Sequence, residues 1–208
     1  MHSLLCLLLT MLAPFAFAQA ILNSSAELDT PTGTLHSSLM LPKSEQRLPV
    51  ALLIAGSGPT DHNGNDPQMR NDSLKRLAQV LARSGIASLR YDKRGIAAIQ
   101  AAGPDERALS VERYAEDAIA WNWQLKADPR FGQLILIGHS KGALIASLAV
   151  QEGRSCHWPT CWVTASSSSS SARLPTMIAK AADKKLDIVK FTTVDRKRSD
   201  ADRNSALK

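Results

Sequence analysis

Short unbroken apolar runs alternate along this chain with stretches in which apolar residues recur every three or four positions. The first unbroken run, Leu48 to Ala55, is closed by Gly56-Ser57-Gly58-Pro59. Such a run suits a strand buried on both faces, as in a parallel sheet. Ile86 to Tyr91 and Leu134 to Ile137 repeat the pattern. Between the first two, Leu74, Leu77, Ala78 and Leu81 share one face of a helix capped by Asp72 or Ser73, running through Ser84 and ended by Gly85. Tyr114, Ala118 and Trp121 form a second stripe, in a helix over Val111 to Lys126 with Ser110 as its cap. Trp123 cannot share the face of Trp121, so Trp121 is expected in the core and Trp123 partly outside it. A third helix is expected over Lys141 to Gln151. Upstream, Ala26 to Thr30 and Thr34 to Leu41 flank Pro31-Thr32-Gly33, which reads as a hairpin turn. Strands alternating with helices predict an α/β fold: a mostly parallel sheet with right-handed crossovers, made mixed by the hairpin.

The two ends of the chain depart from this rhythm. Leu4 to Ala13 is a short apolar stretch followed by Ala16-Phe17-Ala18, a small-x-small site. Residues 1–18 are therefore expected to be a signal peptide, and the protein to be exported, periplasmic or secreted. The apolar stretch is too short for a membrane span, which takes about 20 residues. Past Gly153 the alternation decays. Trp162 to Ala165 suits one more strand, Ser166 to Ser171 is low in complexity, 177–190 has a helical stripe and 195–208 reads as disordered. The expected organisation is thus a signal over 1–18, an α/β unit over 26–153 and a divergent tail over 154–208.

Charge follows the same division. The net charge is +6, yet from Arg173 to Lys208 ten Lys/Arg stand against five Asp/Glu. The basic balance belongs to the tail. Its charges are mixed and carry no interleaved aromatics, so no nucleic-acid partner is expected. Cys156 and Cys161 could pair in an oxidising compartment, but spacing alone does not establish it. With His157 they still lack a fourth ligand, and no metal is expected. Asp61, Asn63, Asn65 and Asp66 fail the calcium-loop pattern, because its glycine slot holds Asp66 and its final glutamate slot holds Asp72. Gly56-Ser57-Gly58 lacks the Gly-Lys-Ser/Thr of a phosphate loop. No cofactor is expected.

The chemistry-bearing motif is Gly138-His139-Ser140-Lys141-Gly142, set between an apolar strand and a helix. In that context G-x-S-x-G makes a tight turn that lifts the serine hydroxyl clear of the sheet. Two further segments accompany it. Gly56 to Asn65 follows the first buried strand, and Arg90-Tyr91-Asp92-Lys93-Arg94-Gly95 ends the next. Together these residues resemble the α/β-hydrolase superfamily, and within it exported bacterial hydrolases of the serine-aminopeptidase-like branch. The resemblance covers roughly residues 35–151. It implies a partial α/β-hydrolase fold, Ser140 as the nucleophile, and an oxyanion hole made by the backbone N–H groups of Ser57 and Lys141. Asp92 and Arg94 are expected to hold neighbouring loops rather than to react.

The same resemblance exposes a gap. The family places its acid and its histidine after the serine, on later loops. Here His157 is the only histidine after Ser140, and no histidine follows Asp183, Asp187, Asp195, Asp200 or Asp202. His36, His62 and His139 do not occupy the position of the family's base. The expected function is serine hydrolysis of an ester or amide, on a small-molecule or peptide substrate, with activity in doubt for want of a base. The interruption near Gln151 is read as a truncated or frameshifted hydrolase sequence. The alternative expectation is a non-catalytic exported binding module on the same scaffold. Neither substrate nor oligomeric state can be read.

Overall fold

The computed structural model describes residues 20–96, 109–152 and 161–166. The signal expected at 1–18, Cys156, His157, the helical stripe expected at 177–190 and the tail from 195 lie outside the described residues. Among the described residues the elements follow in the order β1 (Ile21–Thr30), β2 (Gly33–Pro42), β3 (Leu48–Ile54), α1 (Ser73–Arg83), β4 (Ala87–Tyr91), α2 (Val111–Ala127), β5 (Phe131–His139), α3 (Lys141–Glu152) and β6 (Cys161–Ser166). They form one sheet of order β1-β2-β4-β3-β5-β6. β1 and β2 are an antiparallel hairpin, β2 joins β4 antiparallel, and β4, β3, β5 and β6 run parallel. The expected mixed, mostly parallel α/β sheet is what the chain forms.

The strand alternation sorts two cores. Val50, Leu52, Ile54, Leu89, Leu134 and Leu136 face one side, where Trp121 and Ala118 of α2 and Ile145 and Ala149 of α3 cover them. Ala51, Leu53, Ile135 and Ile137 face the other, under Leu77, Ala78 and Leu81 of α1. Removing this apolar area from water is the main force holding helices to sheet. Trp121 is fully buried and Trp123 about half exposed, as the stripe requires. Among the described residues no helix is long and apolar enough to cross a membrane.

The topology fixes where a site can be. After β3 the chain leaves to the α1 face; after the neighbouring β5 it leaves to the α3 face. Adjacent parallel strands whose connections part in this way open a crevice at their carboxyl ends, where α/β sheets bind ligands. The other notable concavity, an open groove of about 340 Å³ lined by Leu41, Leu48 and Arg130, sits at the amino ends of β3 and β5.

Two local expectations need correction. β1 starts five residues earlier than the apolar pattern implies. Its first half, Ile21-Leu22-Asn23-Ser24-Ser25, has no buried face to mark it, being an edge strand held by its ladder to β2. Asp72 occupies the position before α1 but makes no cap; it adopts φ 51° and its carboxylate accepts from Asn65 Nδ2 at 2.7 Å. That bond holds the Asp72 carboxyl below its usual range. The first-turn N–H groups of Leu74 and Lys75 donate instead to the Asn63 carbonyl, at 3.0 and 3.2 Å. The Ser73 N–H donates to Asn71 Oδ1 at 2.9 Å, so the helix end is satisfied by the preceding loop and not by Asp72. Ser110 behaves as read, its Oγ accepting from Arg113 N at 3.2 Å.

Candidate active site

Ser140 stands alone between the last residue of β5 and the first of α3. Its φ is 54°, in the left-handed region that non-glycine residues rarely occupy, and it is exposed. The flanking glycines make this turn possible. A Cβ on Gly138 would run into the Gly142 carbonyl, and one on Gly142 would run into the Ile54 carbonyl and stand 2.7 Å from that of Ala55. Strand, turn and helix therefore approach more closely than any side chain allows. The bend leaves the Lys141 N–H in the first turn of α3, where no intrahelical acceptor exists.

The loop after β3 meets this turn. Gly56 lies so close that a Cβ there would be 3.4 Å from Ser140 Cβ and 3.1 Å from the His139 carbonyl oxygen. Its three successive carbonyls are all engaged from the side of the protein. Lys93 Nζ donates to Gly56 O in a short hydrogen bond and to Gly58 O at 3.2 Å, while Thr60 Oγ1 donates to Ser57 O at 3.2 Å. Among the described residues the Ser57 N–H has no protein acceptor.

Lys93 is buried, with only 5% of its surface exposed. Burial, with the charge of Lys141 adding to it, draws its pKa down to about 8. Lys141 itself turns away, its Nζ 5.1 Å from the centre of the Tyr114 ring on α2. The turn after β4 supplies the remaining anchors. Asp92, buried, accepts from the His62 backbone N–H at 2.7 Å and faces His62 Nδ1 at 2.9 Å. Asp92 thus holds the neighbouring loop, as expected. Arg94 ties the hairpin turn and α2 to the same place through side chains. Its Nε and Nη2 donate to the two carboxylate oxygens of Asp117 on α2, both at 2.7 Å, and its Nη1 donates to Thr32 Oγ1 in the hairpin turn.

Of the sequence-derived site residues, Ser140, Lys141 and the Ser57 loop come together. The histidines divide. His36 pairs with Glu27 on the exposed hairpin at 3.1 Å, and His62 is engaged by Asp92. His139 flanks Ser140 beside Gly56. α3 carries the chain about 18 Å from Ser140 before it ends; His157 follows, outside the described residues. Among the described residues no group of three or more His, Cys, Asp or Glu could hold a metal. Sequence reasoning missed Lys93, because a lysine in a turn is ordinarily solvated.

Comparison with known proteins bears on family and fold. The profile of the family described as serine aminopeptidase, S33, matches residues 70–202, more than half of the chain. The chain belongs to the serine aminopeptidase S33 family. The matched stretch of the S33 family takes in Asp92 to Gly95 and the Ser140 turn, and it continues past Gly153. Esterase EstD of Thermotoga maritima is 31% identical over 124 residues, which is 59% of this chain and 29% of that protein. Among solved structures, Est1E of Butyrivibrio proteoclasticus with ferulic acid bound superposes with a TM-score of 0.52 at 19% identity, over 67% of this chain and 51% of that one. Brefeldin A esterase, described as a bacterial homologue of human hormone-sensitive lipase, gives 0.53 at 17% identity, over 81% and 48%. These two share the α/β-hydrolase fold. The chain spans about half the length of the solved structures it matches, and less of the curated relative.

Proposed function

We propose that this S33-family chain carries the acylation site of a serine hydrolase acting on small esters, with Ser140 as nucleophile. The supporting observation is the contact between two turns from adjacent strands: a serine at φ 54° and a glycine loop whose Cα lies against it. Ser140 Oγ attacks the carbonyl carbon and the Oγ–C bond forms. The carbonyl oxygen becomes an oxyanion, held by the N–H groups of Ser57 and Lys141. The C–O bond to the leaving group then breaks, the proton lost by Oγ leaves with the alcohol, and water hydrolyses the acyl-serine. An ester is preferred over a peptide because the EstD relative is an esterase. The reaction is placed outside the cytoplasm on the strength of the apolar leader.

Among the described residues no histidine follows Ser140, so the test supplies a base from solution. A fluorophosphonate reporter, with the modified residue mapped by mass spectrometry, reads the outcome. The expected result is labelling at Ser140, abolished in Ser140→Ala and accelerated by added imidazole, which acts as a base from solution. Folded protein that stays unlabelled with imidazole present overturns the reading and favours a binding module. Labelling that imidazole leaves unchanged shows that the chain has its own base.

A further inference from the structure

We propose that Lys93 is a positioning residue for the oxyanion hole: its ammonium clamps the carbonyls of Gly56 and Gly58 so that the Ser57 N–H is held outward for the reacting oxygen. The inference deepens the acylation reading above and rests on it.

The Gly56–Ser57 peptide unit sets the direction of the Ser57 N–H. The Gly56–Ser57 bond is trans, so its C=O and N–H point in opposite directions. Lys93 Nζ holds the Gly56 carbonyl, which turns the Ser57 N–H away from the lysine. The Gly58 carbonyl belongs to the peptide joined to Pro59, which has no N–H of its own. Its bond to Nζ fixes the far side of the loop. The Ser57 carbonyl between them is held by Thr60 Oγ1. All three carbonyls of the loop are thus bonded, two by the lysine and the middle one by an exposed hydroxyl.

Lysine suits this task for a geometric reason. Its ammonium is a compact donor of three hydrogen bonds on a flexible stem, able to serve two carbonyls that converge from different directions. Its position next to Asp92 ties this clamp to the same β4 turn that holds the His62 backbone, so the loop is fixed at both Gly56–Gly58 and His62. Lys93 touches neither substrate nor the reacting atoms in this role; it acts through the Ser57 peptide.

The test separates rate from binding. Fluorophosphonate labelling of Ser140 is followed at fixed imidazole concentration, and kinact and KI are measured for the parent protein and for Lys93→Met. The expected result is a fall in kinact of about 10²-fold, the usual loss of one oxyanion donor, with KI unchanged and the fold retained by circular dichroism. Labelling of the parent at Ser140 with an unchanged kinact in Lys93→Met overturns this inference and leaves the acylation reading intact. A loss carried by KI assigns Lys93 to ligand binding and overturns it as well. Failure of the parent to label removes the acylation reading and this inference together. If Lys93→Met does not fold, Lys93→Gln replaces it. Its shorter amide can serve at most one of the two carbonyls, and a parental kinact there overturns the proposal.

Discussion

The two turns that meet at Ser140 are held by opposite means. The turn after β5 is fixed by the absence of side chains: Gly138 and Gly142 let strand, bend and helix close to distances no Cβ permits. The loop after β3 is fixed by the presence of one, a buried lysine bonded to two of its carbonyls. Steric closure cannot be loosened gradually, because packed backbone does not yield to an added methyl group. An electrostatic clamp can be loosened, and it depends on a proton.

Four measurements put this contrast at risk. The largest effect is expected at Arg94, which secures the β4 turn to α2 through a fully buried fork on Asp117. Arg94→Met leaves that carboxylate buried without its partner and should cost about 3–5 kcal/mol, read from urea unfolding. A variant as stable as the parent would mean that Asp117 takes up a proton or reaches water. Next is Gly138→Ala, expected to lose about 3 kcal/mol because its Cβ meets the Gly142 carbonyl. A small loss there would show that the elbow can open.

The third effect concerns the clamp and has the opposite sign. Folding lowers the Lys93 pKa from 10.5 to about 8. Between those values the unfolded chain holds a proton that the folded chain does not, so stability rises as pH climbs from about 8 to 10.5. The gain is at most about 3 kcal/mol, and it should be missing from the pH profile of Lys93→Met. Parallel profiles for the two proteins would show that the lysine is well solvated. The smallest effect, about 1 kcal/mol, is expected for Ser110→Ala, which removes an ordinary helix cap remote from both turns. It gives the scale against which the other three are judged.

The difference between the turns also decides what the sequence discloses. Glycines required by close approach leave a fixed spacing, so Gly138-x-Ser140-x-Gly142 is visible in the chain, and so are the buried strands feeding it. Lys93 leaves no such mark. Nothing in its neighbours tells a buried lysine from a solvated one, and only the path of the β3 loop over it shows the difference. The partner of Arg94 is hidden for a similar reason. Asp117 sits 23 positions away on a helix whose polar residues read as solvent-facing. The first half of β1 lacks an apolar face, and the start of α1 is served by a backbone carbonyl from the preceding loop. In each case the missing information lies in contacts between distant segments. The local pattern was sufficient wherever a residue's own neighbours impose the geometry, as at Ser110 and Trp121.

The lysine beneath the β3 loop sets durability against chemistry. An uncharged side chain at Lys93 would spare the protein a desolvated cation and leave the Gly56 carbonyl without its donor, two effects of opposite sign on stability. The same change would release the peptide that faces the reacting oxygen. On the acylation reading, a search for sturdier variants that scored melting temperature alone would be blind to that loss of placement.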